Sequence, residues 1–202
     1  MIIGVLASGE GTTLQAVLDA CTQGLLDASV GLVVSNNSGA GALRRAAAAG
    51  VPVKHLSSKT HPVPSVLDEI MRTCLVEAHV DVVLLAGFMK KLGPQTLGAY
   101  AGRILNTHPA LLPKFGGPGM YGDHVHRAVI ASGERTSGAS VHLVVAEYDA
   151  GPVIAQRTVD VRSDDTVETL AQRVQAMERV LVVDVLRDIA RGALRLSVDD
   201  NG

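Results

Sequence analysis

The sequence predicts an α/β fold, a doubly wound and mostly parallel sheet with helices packed on both of its faces. Three observations predict it. Short apolar runs rich in β-branched residues recur without polar alternation, as in strands covered on both sides. Stripes of apolar residues at helical spacing lie between those runs. The two kinds of segment alternate through the first half of the chain, the order that a parallel sheet with right-handed crossovers requires.

The elements follow in order. Ile2–Ala7 is the first apolar run, and Leu14, Val17, Leu18 and Cys21 then share one face of a helix. Val30–Ser35 is the second strand, and Gly50 is a stop signal for the helix that follows it. Val51–Leu56 is the third strand. Val63, Val66, Leu67, Ile70, Met71, Cys74 and Leu75 form the next helical stripe. Asp81–Ala86 is the fourth strand, Gly87–Leu92 its strand-end segment, and Pro94 suits a first helical turn.

The second half changes character. Arg103–Asn106 reads as a strand, and a Pro/Gly-rich loop runs from His108 to Asp123. A short helix over His124–Ser132 precedes two β-rich runs, Ala139–Val145 and Val153–Val161. A long helix, about Thr166 to Arg191, closes the chain, entered through the capping cluster Ser163-Asp164-Asp165. Its apolar positions nearly encircle it from Val180 to Ile189, which predicts a buried later part. With no internal repeat and no low-complexity linker, one domain over residues 1–202 is expected, split into halves at 1–100 and 101–202.

Composition narrows the function. Lys+Arg 18 against Asp+Glu 20 leaves a net charge of −2, so the basic footprint of a nucleic-acid binder is missing. Aromatic residues make only 2%, too few for base-stacking platforms. A hydrophobic share of 47% excludes disorder. The longest apolar stretch, Val82 to Met89, is far short of the roughly 18 residues of a spanning helix. The first residues lack a basic n-region, so the chain is expected to begin as mature protein. Cys21 and Cys74 are expected to be buried thiols in a reducing, cytoplasmic setting. The expected partners are small molecules, and a monomer or a homodimer is compatible with the apolar surplus.

Several segments could carry chemistry. Ser8-Gly9-Glu10-Gly11-Thr12-Thr13 joins the first strand to the first helix, where backbone amides and the helix N-terminus attract anions. It is equally an ordinary glycine-rich turn, and it matches neither a Walker loop nor the dinucleotide fingerprint. Glu10 should point to solvent. In Asn106-Thr107-His108-Pro109, Asn106 and His108 project to one side of an extended segment, and Pro109 keeps His108 out of helical geometry. An amide donor beside an imidazole suits oxyanion stabilisation and proton transfer, although both residues could be purely structural. Asp149, before Ala150-Gly151-Pro152, is a turn residue that would raise the His108 pKa if the fold placed it alongside. His124-Val125-His126, with Asp123 or His142, has no recognised metal spacing, so no metal is expected. Gln175 and Glu178 share a helix face that could hold sugar hydroxyls or simply be solvated.

Together these segments resemble the phosphoribosylglycinamide formyltransferase family, folate-dependent enzymes of purine synthesis. The resemblance runs from Met1 to about Leu196. It rests on Val5 to Ala16, Leu85 to Lys90, Leu105 to Pro113, Gly138 to His142, Asp149 to Gln156 and Arg173 to Glu178, six pieces in order. It implies a Rossmann-like formyltransferase fold, with a phosphate-binding first half and a catalytic, folate-binding second half. By resemblance, Asn106, His108 and Asp149 are the catalytic trio. Gly11, Thr12, Thr13, Gln175 and Glu178 hold the glycinamide ribotide. Met89, Lys90, Lys91 and Leu92, with Asn106, Val145, Ala146, Glu147 and Tyr148, wrap the folate. The co-substrate implied is 10-formyltetrahydrofolate, with no metal. The family often has Ser-Asn where Thr12-Thr13 stand, and Lys59 is the candidate basic contact to the folate tail. Protonated His108 and Asn106 would stabilise the developing oxyanion while Asp149 assists proton transfer. Rival readings are formyltetrahydrofolate hydrolase or another folate formyl enzyme, a non-catalytic nucleotide-binding module, and a metal hydrolase on His124 and His126. Extra domains of the formyl-enzyme rivals are not expected in 202 residues.

Overall fold

The computed structural model describes residues 1–196. Seven strands form one sheet in the order β3-β2-β1-β4-β5-β6-β7. The strands are β1 (Ile2–Leu6), β2 (Ser29–Ser35), β3 (Val53–His55), β4 (Val82–Leu85), β5 (Ile104–His108), β6 (Thr136–Leu143) and β7 (Val153–Asp160). β1 to β5 are parallel, whereas β6 and β7 are antiparallel additions. The helices are α1 (Thr12–Thr22), α2 (Gly41–Ala48), α3 (Pro64–Glu77), α4 (Pro94–Ala99), α5 (Asp123–Ala131) and α6 (Val167–Ala190).

Apolar side chains leave both faces of the central strands, which is why those runs show no polar alternation. Val82 and Leu84 of β4 join one core with α1, α2, α5 and α6, while Val83 and Leu85 join a second with α3 and α4. The strand order reverses between β1 and β4, so the loops after these two strands meet. There Ser8 N–H donates to the Gly87 carbonyl (3.1 Å) and Met89 N–H to Ser8 Oγ (2.8 Å). In open α/β sheets this reversal point is where ligands bind. No helix among the described residues is long and apolar enough to cross a membrane.

Several boundaries depart from the sequence reading. β5 continues through His108, because the pairing with β6 extends to His108 opposite Ser140. β3 is shorter than expected, at a sheet edge where only one neighbour supplies hydrogen bonds. β6 begins earlier, at Thr136, held by β7. The cap of α6 is Thr166, whose hydroxyl accepts from Thr169 N–H, and not the Ser163-Asp164-Asp165 cluster. Asp165 instead binds Arg173 (2.7 Å), whose guanidinium holds its carboxyl well below the usual carboxylate range. Val180 is 50% exposed, so the apolar ring predicted around the later part of α6 does not close. Cys21 and Cys74 are free thiols and only half-buried.

Candidate active site

The site forms where the parallel and antiparallel parts of the sheet join. Alternation along β5 sends Asn106 and His108 to one side, as the spacing predicted, and Thr107 to the other. Register with β6 places His142 opposite Asn106. The loop between β6 and β7 then returns Asp149 to the end of β5. Its left-handed backbone, φ 53°, carries the carboxylate to within 3.5 Å of His108 Nδ1 and 3.4 Å of His142 Nε2. Such a conformation costs a non-glycine residue roughly 1–3 kcal/mol and is held by the surrounding structure.

Hydrogen bonds fix each member. His142 Nδ1–H donates to the Leu143 carbonyl (2.8 Å), so in the neutral ring Nε2 accepts from Asn106 Nδ2 (2.9 Å). Asn106 Nδ2 also reaches Asp149 Oδ1 at 3.5 Å. Gly117 N–H donates to Asp149 Oδ2 (2.9 Å), and His108 Nε2–H to the Phe115 carbonyl (2.7 Å). Burial pushes the Asp149 carboxyl up, but His142, the Gly117 amide and His108 outweigh it, and the net pKa is lowered.

For His108 the balance runs against the sequence expectation. Its burial, with 3% exposure, pulls the pKa down and outweighs the upward pull of Asp149 and of the Phe115 carbonyl. The resting imidazole therefore titrates below its ordinary range, and Asp149 only moderates the shift. Burial also pulls His126 down. Its Nδ1 has no hydrogen-bond partner among the described residues. His124 is exposed, edge-on to Tyr121 with centroids 5.2 Å apart. Among the described residues no three His, Cys, Asp or Glu side chains gather where they could hold a metal ion.

Behind β5 lies a second carboxylate. Glu178 of α6 accepts at Oε1 from Thr13 and from Thr107, each at 3.1 Å. Burial of its carboxyl pushes the pKa up against the pull of those hydroxyls. Gln175 stays exposed one turn earlier. The Thr13 hydroxyl, expected to face a ligand, is thus committed to Glu178, while Thr12 is exposed. Gly11 caps α1 at φ 74°, and a Cβ there would stand 2.6 Å from Ala42 Cα. The first bond of that helix runs from Gln15 N–H to the Gly11 carbonyl (2.9 Å), which leaves the earlier amides for a ligand. Glu10 does point outward, toward Arg44.

Two cavities share Phe88, Lys90, Lys91 and Leu92. The smaller, about 70 Å³, ends on Asn106, His142 and Asp149 and is walled by Val144 to Tyr148. The Lys91 ammonium sits 5.6 Å from the centre of the Tyr148 ring. The larger, about 650 Å³, also takes in Lys59, His55 and Asp68. Met89 differs from its predicted neighbours, since its side chain is exposed and lines neither cavity. Asp68 of α3 binds the start of α4, accepting from Gln95 N–H (2.7 Å), Thr96 N–H (3.0 Å) and Thr96 Oγ1 (2.6 Å).

Comparison with known proteins is consistent with this geometry. The family model described as formyl transferase matches residues 1–186. The phosphoribosylglycinamide formyltransferase of Escherichia coli (strain K12) is 39% identical over 196 residues, covering 97% of this chain and 90% of that protein. The chloroplastic phosphoribosylglycinamide formyltransferase of Arabidopsis thaliana is 39% identical over 202 residues, covering 98% of this chain and 68% of its own. The crystal structure of glycinamide ribonucleotide transformylase 1 from Symbiobacterium toebii superposes with a TM-score of 0.91. It is 38% identical, over 98% of this chain and 91% of that one.

Proposed function

The chain belongs to the formyl transferase family, and from that premise we propose that it moves the formyl group of 10-formyltetrahydrofolate onto the amine of 5-phosphoribosylglycinamide, a step of purine synthesis. The observation that carries the chemistry is that Asn106 and Asp149 line the inner end of the smaller cavity and that the buried His108 stands directly behind Asp149, its Nδ1 3.5 Å from the carboxylate.

The contacts of the His108 ring, Nε2 on the Phe115 carbonyl and Nδ1 facing Asp149, set how the proton moves. The neutral amine attacks the formyl carbon, a C–N bond forms, and negative charge develops on the formyl oxygen. Neutral His108 takes a proton from the attacking nitrogen and becomes imidazolium. That form is now favoured, because the oxyanion and Asp149 both lie beside it. Asn106 gives up its longer contact, the 3.5 Å one to Asp149, and donates to the oxyanion. The proton passes on to the folate nitrogen as the bond from the formyl carbon to that nitrogen breaks. No side chain is acylated, and protons balance across the cycle.

Substrate placement follows the same reading. The ribotide phosphate takes the free amides at the start of α1, with Gly11 and Thr12, while Gln175 and Glu178 meet the ribose. The pterin enters between Val145–Tyr148 and Lys90–Leu92, parting Lys91 from Tyr148. The acidic tail lies toward Lys59 and Lys90 in the larger cavity. The test is a spectroscopic transfer assay with 10-formyltetrahydrofolate, with and without the ribotide, beside His108→Ala. Ribotide-dependent release of tetrahydrofolate that the variant loses is the expected result. Folate turnover without ribotide would make the enzyme a hydrolase, and no turnover in either case would remove the catalytic reading.

A further inference from the structure

We infer that the three-residue strap Phe115-Gly116-Gly117 is a positioning device that assigns His108 Nδ1, and not Nε2, as the atom that carries the transferred proton. The inference rests on the proposed reaction and adds to it which ring nitrogen works and what selects it.

The strap grips both members of the acid pair through its main chain. The Phe115 carbonyl occupies His108 Nε2 at 2.7 Å, and two residues later Gly117 N–H occupies Asp149 Oδ2 at 2.9 Å. A carbonyl can only accept, so Nε2 must keep its hydrogen in every state of the ring. The neutral imidazole then has a bare Nδ1, and that nitrogen is the one turned toward Asp149. Two acceptors face each other there at 3.5 Å, an arrangement satisfied only when Nδ1 gains a proton. The resting pair is thus one proton short at His108 Nδ1, beside the carboxylate that Asn106 also contacts and that lines the smaller cavity.

The strap turns through two left-handed residues, a conformation that is free for glycine and unfavourable for Phe115. Phe115 has φ 57° and Gly117 φ 94°. Between them Gly116 has an ordinary backbone, so its lack of a side chain is a matter of contact. A Cβ there would stand 2.5 Å from Leu112 Cδ2 and 3.3 Å from Asp149 Cβ. Any larger residue pushes the strap off the pair. Phe115 and Gly117 act through His108 and Asp149 and touch no reacting atom.

The decisive experiment is nitrogen-15 NMR of the full chain with labelled histidine, the His108 signals assigned by their loss in His108→Ala. Above the range in which the ring titrates, the expected spectrum shows a protonated Nε2 and a bare Nδ1. A proton on Nδ1 with a bare Nε2 overturns the inference. Gly116→Ala supplies the second arm. We expect kcat to fall roughly 10–100-fold, the ribotide KM to stay within about twofold, and the His108 ring to show mixed tautomers. Adding Leu112→Val, which removes the clashing methyl group, is expected to recover part of the loss. Unchanged kcat, or lost kcat with His108 still wholly protonated at Nε2, overturns the strap's role. Should Gly116→Ala not fold, the spectrum of the unaltered protein decides alone. Wild-type turnover in the transfer assay tests the proposed function separately, since the tautomer is read without substrate.

Discussion

β5 holds one carboxylate on each side, and their surroundings move them in opposite directions. Asp149 is held below the usual carboxylate range, because the Gly117 amide donates to it and two imidazoles that can take up a proton lie beside it. Glu178 has two threonine hydroxyls at a single oxygen, and burial prevails, raising its pKa. The difference is in the donors. Hydroxyls are weak partners for a desolvated anion, whereas a backbone amide and an imidazole that can itself become charged are strong ones. One carboxylate is therefore set up to sustain an ion pair during turnover, and the other to be comfortable as a neutral acid or beside a ligand's hydroxyls.

The largest expected effect tests the Asp149 side. His108→Ala and Asp149→Asn should each lower kcat by about 10²–10³ or more, the loss that follows removal of one transition-state donor. Steady-state kinetics at saturating ribotide and folate would show it, and a loss under tenfold would break the assignment.

Asp149→Asn should also lower the His108 pKa further, because it removes the charge that moderates the effect of burial. The sign can be followed in stability. A histidine whose folded pKa lies below its unfolded value stabilises the fold above about pH 6.5 and loses that contribution as pH falls. Histidine proton shifts titrated by NMR measure the change, and an unmoved or raised His108 would contradict it.

On the Glu178 side the sign is reversed. A carboxyl with a raised pKa costs stability once the pH exceeds its unfolded value, so Glu178→Gln should raise Tm at pH 8, by roughly 2–4 °C for each kcal/mol relieved. Near pH 4 the two proteins should melt alike. The ribotide KM should rise about tenfold with little change in kcat. A variant destabilised at pH 8 would mean that the charge is better compensated than the two hydroxyls suggest.

The smallest effect supplies the control on the same helix. Thr166→Ala removes the cap of α6 and should cost about 1 kcal/mol, with kinetic constants unchanged. A kinetic change there would show that α6 transmits its end effects to the site, which would blur the contrast between the two carboxylates.

What could be read from the chain before folding divides along local and distant lines. The central strands were readable because β-branched runs covered on both faces need no partner to declare themselves. Asn106 and His108 were readable as neighbours through their two-residue spacing. The extension of β5 through His108 was not, since it depends on pairing with Ser140 far along the chain. His142 could be weighed only as a metal ligand, because its place opposite Asn106 is a matter of register. The sign of the His108 shift escaped because burial is a property of the whole fold. The Phe115 carbonyl and the Gly117 amide bear no side-chain signature at all. On α6 the apolar ring overstated burial, and Val180 faces solvent because helix and sheet touch along one stripe.

Asp68 ties α3 to the first turn of α4, and both α3 and the segment leading into α4 line the larger cavity. One carboxylate thus fixes these two lining segments to each other, so that part of the wall is assembled before any molecule enters. A molecule entering it has to arrive in nearly the right shape. Compounds stiffened into that shape should gain on floppy ones mainly through the motion they no longer have to surrender.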